Sequence, residues 1–547
     1  MKNKCILSSV NSPYKYGIIP CGYVSSFVQA TDCAFSAGFC IEFGINKAVF
    51  VDGRYKVEAN RKLSNLGFDV LNLSYKDISD WVLNNVPQNE NIYFSPYEFS
   101  PIEIENFEKI ISRKLLAIDI NSSLSRSTCK LFFVEGDKFS SNFARIRYIF
   151  EKYEIDYYLL CDCLSIAWLL NIRAYNDVIN TPVLLCRAII NKNAEVTLYA
   201  ENDISNPELL CSQLSNVEIK NITALENDLN NIKNIATDFS EIPYYIQQKA
   251  KFKNIKNPCL LEKCIKTDEQ IKNIKYTNIL DSVAVVKFMY WVYEQEEISE
   301  YSASEKIDWF RSKLPNYICK SFENIIAIDE NSAEIHHHTD YLEDMIRPFN
   351  VLLFDTGGQY KKGTTDVTRT ICKNPSKKFK YYYTLVLKGH INLFLCEFDK
   401  NTRSSELDKI ARLPLVNIGA DYPHGTGHGI GYVSHVHEPY VSLSSVDIEM
   451  SLQKNIVFSN EPGYYASGEF GIRIENSMTI IESENSKLQF ESLTLVPYDT
   501  NSIDMEMLSQ NEKNWLKTYH KQVYSTLSEF LTREENMFLA KLCSLEI

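Results

Sequence analysis

The chain has 547 residues, 45% of them hydrophobic: too long for one core and apolar enough for fully folded globules, so two or three domains are expected. A formal net charge of -13 excludes the basic stripe that nucleic acid requires and opposes attraction to anionic lipid, so neither nucleic acid nor membrane is expected as a partner. The 15 cysteines follow no disulfide framework or zinc spacing and read as reduced, packed thiols.

From the N-terminus, MKNKCILSSVNSPYKYG returns to polar residues before an apolar export core is complete, which points to a cytoplasmic protein. Strand-like runs (CIEFG, KAVFVDGRY, FDVLNL, NIYFS) then alternate with helical stretches such as YKVEANRKL, an α/β pattern that defines a first domain over 1–133. A polar stretch around EGDKFSSNF precedes a second series over 134–264: a helix through RIRYIFEKYE, a strand YYLLCD, a helix LSIAWLLNIR, and strands LLCRAIIN and AEVTLYA. Whether these two α/β domains share a fold is not legible in the sequence. A third, α+β domain over 265–547 opens with KTDEQIKNIKYTNILDSVAVVKFMYWVYEQ, apolar at helical spacing. Its most apolar stretch, 279–293, carries Asp281 and Lys287 and reads as a buried helix rather than a membrane span.

In this third domain four carboxylates and one histidine follow in order: Asp355 and Asp366 in FDTGGQYKKGTTDVTRT, His428 in HGTGHGIG, Glu461 in NEPGYY and Glu475 in GIRIEN. Each acid lies in or beside an apolar strand-like run, so folding draws four negative charges into a poorly solvated place. Two unit charges about 4 Å apart repel by about 4 kcal/mol at an effective dielectric near 20. A pair of divalent cations would cancel the set. Alone, either Asp reads as a cap or surface residue, but together they fit a two-strand hairpin, with Thr368 and Thr370 on the face of Asp366. His428 is expected in an open glycine-rich loop. Seven of the nine histidines cluster at 336–338 and 424–437, which favours a site over chance packing. Glu461 closes IVFSN before Pro-Gly, and Glu475 shares a strand face with Arg473 while Ile472 and Ile474 take the other; alone, Glu475 would be half of a cross-strand ion pair. Carboxylates with one imidazole form a hard-donor set that suits two Mn²⁺, with Co²⁺ or Zn²⁺ as substitutes. Two such ions about 3.5 to 4 Å apart polarise a carbonyl and keep a hydroxide ready at neutral pH, so hydrolysis is the expected reaction.

These stretches, with YTLVLKGHINL, ADYPHGTGHGIG and SNEPGYYASGEFGIRIEN, resemble the Xaa-Pro aminopeptidases of the pita-bread metallopeptidase superfamily. FSAGFCIEFGINKAVFVDGRY is similar to the family's first domain, LSIAWLLNIR to its second, and FESLTLVPYDTNSIDMEMLSQNEKNWLKTYH to the C-terminal extension of its long three-domain branch. The resemblance implies two creatinase-like N-terminal domains, a pita-bread catalytic domain, a homodimer, and peptides with penultimate proline as substrates. It implies that Asp355 holds one Mn²⁺ terminally, Asp366 and Glu475 bridge, and His428 and Glu461 complete the second site. A hydroxide between the metals would attack the carbonyl before proline, with Glu461 moving the proton. His336 and His437 would contact substrate or transition state, and His424 would line the pocket. The family's NGAIIHY run reads NSAEIHH here, so which of His336, His337 and His338 faces the site stays open, and its VHEGP reads VHEP after His437.

A prolidase cleaving X-Pro dipeptides would share all five ligands; three domains and the long tail favour the aminopeptidase. A methionine aminopeptidase needs neither N-terminal domain. A pita-bread module that has lost catalysis and serves in binding would lack metal ligands, and all five are present here.

Overall fold

Alternating residues of the first strands serve two cores at once. Ile41, Ala48 and Phe50 pack on one face of their sheet while Cys40, Val49 and Val51 pack on the other. Helices Tyr75–Asn85 and Pro101–Ile111 cover the first face and Lys56–Leu63 the second. Both faces are therefore dry, which is why these strands read as nearly continuous apolar runs.

The computed structural model describes residues 4–119, 127–136, 138–338 and 344–544, apart from the side chains of 211–213. The chain forms two compact units, Met1–Glu262 and Lys263–Ile547. Unit one holds two six-stranded mixed sheets. The first runs Phe68–Asn72, Asn46–Val51, Gly38–Phe43, Cys5–Ser9, Ile92–Phe94, Leu115–Ala117; the second runs Val217–Asn221, Val196–Ala200, Cys186–Asn191, Tyr157–Leu160, Ile235–Thr237, Phe252–Asn254. In each, the spatial order is fourth, third, second, first, fifth, sixth along the chain, and the neighbours are parallel, antiparallel, antiparallel, parallel, parallel. The two sheets thus share one topology, a relation the sequence did not disclose.

Three expectations change. The polar stretch at 135–143 already contains the start of helix Phe139–Ile146, whose Phe143 and Ile146 are buried while its serines face water. The helix expected through 145–154 is two pieces, Phe139–Ile146 and Tyr148–Lys152. The helix LSIAWLLNIR stops at Leu169, and Ile172–Tyr175 is a strand; Asn171 takes the left-handed conformation (φ 55°) that ends a helix. Strand Thr128–Phe133 pairs with Ile172–Tyr175.

Unit two opens with the 26-residue helix Asp268–Tyr293, begun by a capping box of Thr267 and Gln270. Its Asp281 is buried as expected and paired with Arg311 at 2.8 Å, and Tyr360 donates to it at 2.6 Å. This helix and Glu300–Ser312 pack on the antiparallel sheet Ile325–Ile328, Val351–Thr356, Val367–Cys372. A second, six-stranded antiparallel sheet (Glu397–Phe398, Leu488–Ser492, Asn476–Glu482, Val457–Asn460, Gly427–Gly429, Glu438–Leu443) packs on helices Lys377–Leu395 and Ser404–Val416. These are the two helix-and-sheet halves of the pita-bread fold. Among the described residues no helix is long and apolar enough to cross a membrane, and eleven of the fourteen described cysteines are buried.

Arg369, fully buried in strand Val367–Cys372, ties both sheets to the C-terminal segment. It donates to the carbonyls of Thr368 (2.8 Å), Glu475 (2.6 Å), Val496 (2.7 Å) and Pro497 (3.0 Å) and to Asn476 Oδ1 (2.7 Å). Arg369→Met would strand several of these acceptors at about 1–3 kcal/mol each. Urea unfolding is expected to show a loss of at least about 2 kcal/mol; an unchanged midpoint would remove Arg369 from this role.

Candidate metal centre

The first two acids arrive as the hairpin pattern expects. Strands Val351–Thr356 and Val367–Cys372 pair with Asp355 opposite Thr368, and Asp366 immediately precedes the second strand. Between them the chain folds into the small ladder Gly358–Tyr360 with Gly363–Thr364. A Cβ on Gly357 would run into the Thr365 carbonyl and the Ser321 hydroxyl, so this crossing needs glycine.

His428 lies in a strand, not in the open loop expected. Gly427–Gly429 is a member of the six-stranded sheet, with His428 opposite Ser442. Gly427 permits this, since a Cβ there would collide with the Ser459 carbonyl of the neighbouring strand. Glu461 follows strand Val457–Asn460, its N–H donating to the Thr426 carbonyl at 2.8 Å. Glu475 sits in the short link between strands Phe470–Arg473 and Asn476–Glu482, beyond the strand that carries Arg473. Its N–H donates to the Thr368 carbonyl at 3.0 Å, which fixes it beside the Asp366 strand. Ile472 and Ile474 are fully buried in a core of helices Lys377–Leu395 and Gln510–Leu527.

The five side chains come together. Ligand atoms of Asp366, His428 and Glu475 lie within 4.8 Å of one another. His428 Nε2 is 3.3 Å from Asp366 Oδ2 and 3.4 Å from Glu461 Oε1. The His428 Nδ1 N–H donates to the Gly429 carbonyl at 2.9 Å, which leaves Nε2 facing those two acids, where a neutral ring would offer only a lone pair that cannot bond to carboxylate oxygens. A cation between them resolves that contact, and the carbonyl behind the ring fixes the tautomer a metal ligand needs.

Three of the four acids are steered by one oxygen. Arg473 holds Asp355 Oδ2 at 2.8 and 3.1 Å, the Thr368 hydroxyl donates to Glu475 Oε2 at 2.6 Å, and the Ser459 hydroxyl donates to Glu461 Oε1 at 3.0 Å. The other oxygens of Asp355 and Glu475 are buried with no hydrogen-bond partner. Orphaned buried carboxylate oxygens are costly, so something outside the protein must satisfy them. Burial, with repulsion from Asp355 and Glu461, holds the Asp366 carboxyl well above the usual carboxylate range; burial, with repulsion from Asp366, Glu461 and Asp355, does the same to Glu475. Burial raises Glu461 too, His428 opposing and Asp355 adding to the rise. A donor set of this kind fits divalent cations.

The histidines divide by surroundings. The exposed ring of His437 stands edge-on to His428, centroids 4.1 Å apart. His424 Nδ1 donates to the Gly425 carbonyl at 2.8 Å and its Nε2 meets the Tyr465 hydroxyl at 2.8 Å. Tyr465 in turn accepts from Arg473 at 2.9 Å, and burial pushes its phenol up to about 12. In the 336–338 run, His336 is half-buried, His338 exposed, and His337 buried in an ion pair with Glu300. His390 and His520, outside the clusters, are buried and kept neutral by burial, His520 falling to about 3. Sequence reasoning set Arg473 beside Glu475 but missed its partner, Asp355, and missed Tyr465 and Thr368 as orienting groups. The adjacent GYY and the Thr368 face were the available signals.

Residues 272–482 match the model of metallopeptidase family M24, 486–545 the C-terminal region of peptidase M24, and 132–270 the creatinase/prolidase N-terminal domain. The chain is 30% identical to Xaa-Pro aminopeptidase 1 of Dictyostelium discoideum over 560 aligned residues, covering 94% of this chain and 88% of that protein. The crystal structure of X-prolyl aminopeptidase from Caenorhabditis elegans, described as a cytosolic enzyme with a di-nuclear active site, superposes with a TM-score of 0.90 at 25% identity over 99% of this chain and 95% of that one. The prolidase of Pyrococcus horikoshii, at 22% identity and a TM-score of 0.53 over 66% of this chain and 99% of its own, shares the fold. The chain belongs to metallopeptidase family M24, among the Xaa-Pro aminopeptidases of that family.

Proposed function

We propose that the chain removes the first residue from peptides whose second residue is proline, using two divalent cations held by Asp355, Asp366, His428, Glu461 and Glu475. The observation that carries this reading is the pair of buried, partnerless oxygens on Asp355 and Glu475 beside Asp366, His428 and Glu461. The hard-donor set favours Mn²⁺, with Co²⁺ or Zn²⁺ as substitutes. Asp355 would hold one ion, Asp366 and Glu475 would bridge, and His428 and Glu461 would complete the other. Bound there, the ions supply Lewis acidity for the scissile carbonyl and acidify the attacking water.

The chain's own groups would do the rest. Glu461, its carboxyl raised by burial, would take the proton of the attacking water and pass it to the proline nitrogen as that bond breaks. His437, exposed beside His428, would donate to the oxygen that gains charge on the carbonyl. His336 would contact substrate, and His424, held by Tyr465, would line the pocket. Proline offers no N–H and a fixed φ, so a general aminopeptidase pocket fits it poorly and a dedicated one exploits its shape.

The same reading gives two creatinase-like domains over 1–133 and 134–264 and a catalytic domain over 265–547; the pairing of Thr128–Phe133 with Ile172–Tyr175 supports counting that strand with the second domain. A cytoplasmic homodimer completes it, supported by the cytosolic description of the nematode enzyme and by the family resemblance.

Release of the first residue from Arg-Pro-Pro, against cleavage of the dipeptide Ala-Pro, tests the activity: the tripeptide is expected to be the better substrate, and a strict dipeptide preference would make the chain a prolidase. Asp366→Asn or Glu475→Gln should lower kcat/KM by more than about 100-fold, and wild-type turnover in either would count against the paired-ion site. His437→Ala should lower kcat by about 100-fold while bound metal stays at the wild-type level; loss of metal would move His437 into the ligand set.

Stripping the metal has a pH signature. With folded pKa values raised above those of the unfolded chain, Asp366 and Glu475 stabilise the metal-free fold only while protonated. The melting temperature of chelator-treated protein should therefore fall as pH rises above the ordinary carboxylate range, and Mn²⁺ should remove that fall. Parallel pH dependence with and without Mn²⁺ would contradict it.

A further inference from the structure

Residues 328–337 are tied to both strands that bear on the acids. Asp329 Oδ1 accepts from the Asn350 and Val351 N–H groups at 3.0 and 2.7 Å, where the Asp355 strand begins. The Ser332 hydroxyl accepts from the Gly471 N–H at 2.7 Å, two residues before Arg473. The anchor of this segment is Glu300, first residue of helix Glu300–Ser312. One of its oxygens accepts from the Ile328 N–H and from Asn331 Nδ2, both at 2.9 Å; the other lies 2.7 Å from His337 Nε2. His337 Nδ1 is 3.4 Å from Glu334 Oε2.

The side chains of His337, Glu300 and Glu334 are 6%, 9% and 19% exposed, so two carboxylates share one enclosed imidazole, an oxygen on each nitrogen. Only an imidazolium donates from both nitrogens. NSAEIHH departs from NGAIIHY at Ser332, Glu334 and His337, and at the last two an isoleucine and a tyrosine give way to a charged pair. We propose that His337, held as an imidazolium between Glu300 and Glu334, is a positioning residue that fixes His336 for substrate contact, so that peptide turnover requires a protonated His337.

This rests on the aminopeptidase reading for the role of His336. Burial alone would depress His337, but its hydrogen bonds and charge interactions with Glu300 and Glu334 prevail, and its pKa rises from an ordinary 6.5 to about 9. The clasp is thus complete below pH 6.5 and is lost as pH rises through about 9. Among the described residues Glu330 also bears on Glu300, and it is itself paired with Arg347 at 3.0 Å. Burial opposes ionisation of Glu300, yet His337, Asn331 and the Ile328 N–H hold its carboxyl below the usual range.

The test is kcat and KM against pH for full-length, Mn²⁺-loaded protein on Arg-Pro-Pro. His337→Gln keeps a donor and loses the charge; kcat should fall about tenfold with KM and metal content unchanged, and the alkaline fall in kcat should flatten. Glu300→Gln should move that alkaline fall about one unit lower. A merely structural His337 would lower the melting temperature and leave kcat and its pH profile at wild type, which overturns the proposal; if His337→Gln does not fold, an unmoved profile in Glu300→Gln does the same. NMR titration of histidine-labelled protein reads the clasp whether or not an X-Pro peptide is cut: His337 should titrate near 9, and titration near 6.5 overturns the proposal. Failure to cut any X-Pro peptide, with His337 titrating near 9, would instead sink the aminopeptidase reading.

Discussion

Like charge crowded into a dry place is the constraint that organises the catalytic half of this chain. Asp355, Asp366, Glu461 and Glu475 approach one point, three of them nearly out of contact with water. A flexible fold would relax by turning the acids outward. This one cannot, because Arg473, Thr368 and Ser459 each grip one oxygen of an acid, and the grips are hydrogen bonds from strands already locked in ladders. Fixed dipoles and a fixed guanidinium leave the remaining oxygens facing inward, which is the preorganisation a paired-cation site demands.

Rigidity of this kind has to come from backbone. The Glu475 N–H on the Thr368 carbonyl, the Glu461 N–H on the Thr426 carbonyl and the Arg369 guanidinium on several carbonyls make the site part of the sheet framework. Arg369 also explains why the C-terminal segment belongs to the catalytic fold: Val496 and Pro497 supply two of its acceptors.

Much of this was legible in the chain. The four acids stood out as a set at the ends of apolar runs and His428 by the clustering of histidines, and the hairpin geometry of Asp355 and Asp366 followed from strand periodicity. Helix Asp268–Tyr293 was announced by apolar residues at helical spacing. What escaped were features set by tertiary partners. His428 was expected in a loop because glycines suggest one, whereas here they let a strand press against Ser459. The Arg473–Asp355 pair spans 118 residues and leaves no local trace. Asn171 ended a helix that apolar periodicity alone would have continued. The three consecutive histidines could not be told apart until Glu300 claimed the middle one.

The repeated topology of the first unit bears on how the molecule is made. In both sheets the second and third strands are chain neighbours joined antiparallel, Gly38–Phe43 with Asn46–Val51 and Cys186–Asn191 with Val196–Ala200, so their contacts are local and close early. Two such nuclei can mature in turn as the polypeptide leaves the ribosome, before residue 355 has been synthesised. The electrostatically frustrated portion is thus the last to be assembled, and its completion coincides with the first moment at which all the donors for an ion exist on one chain.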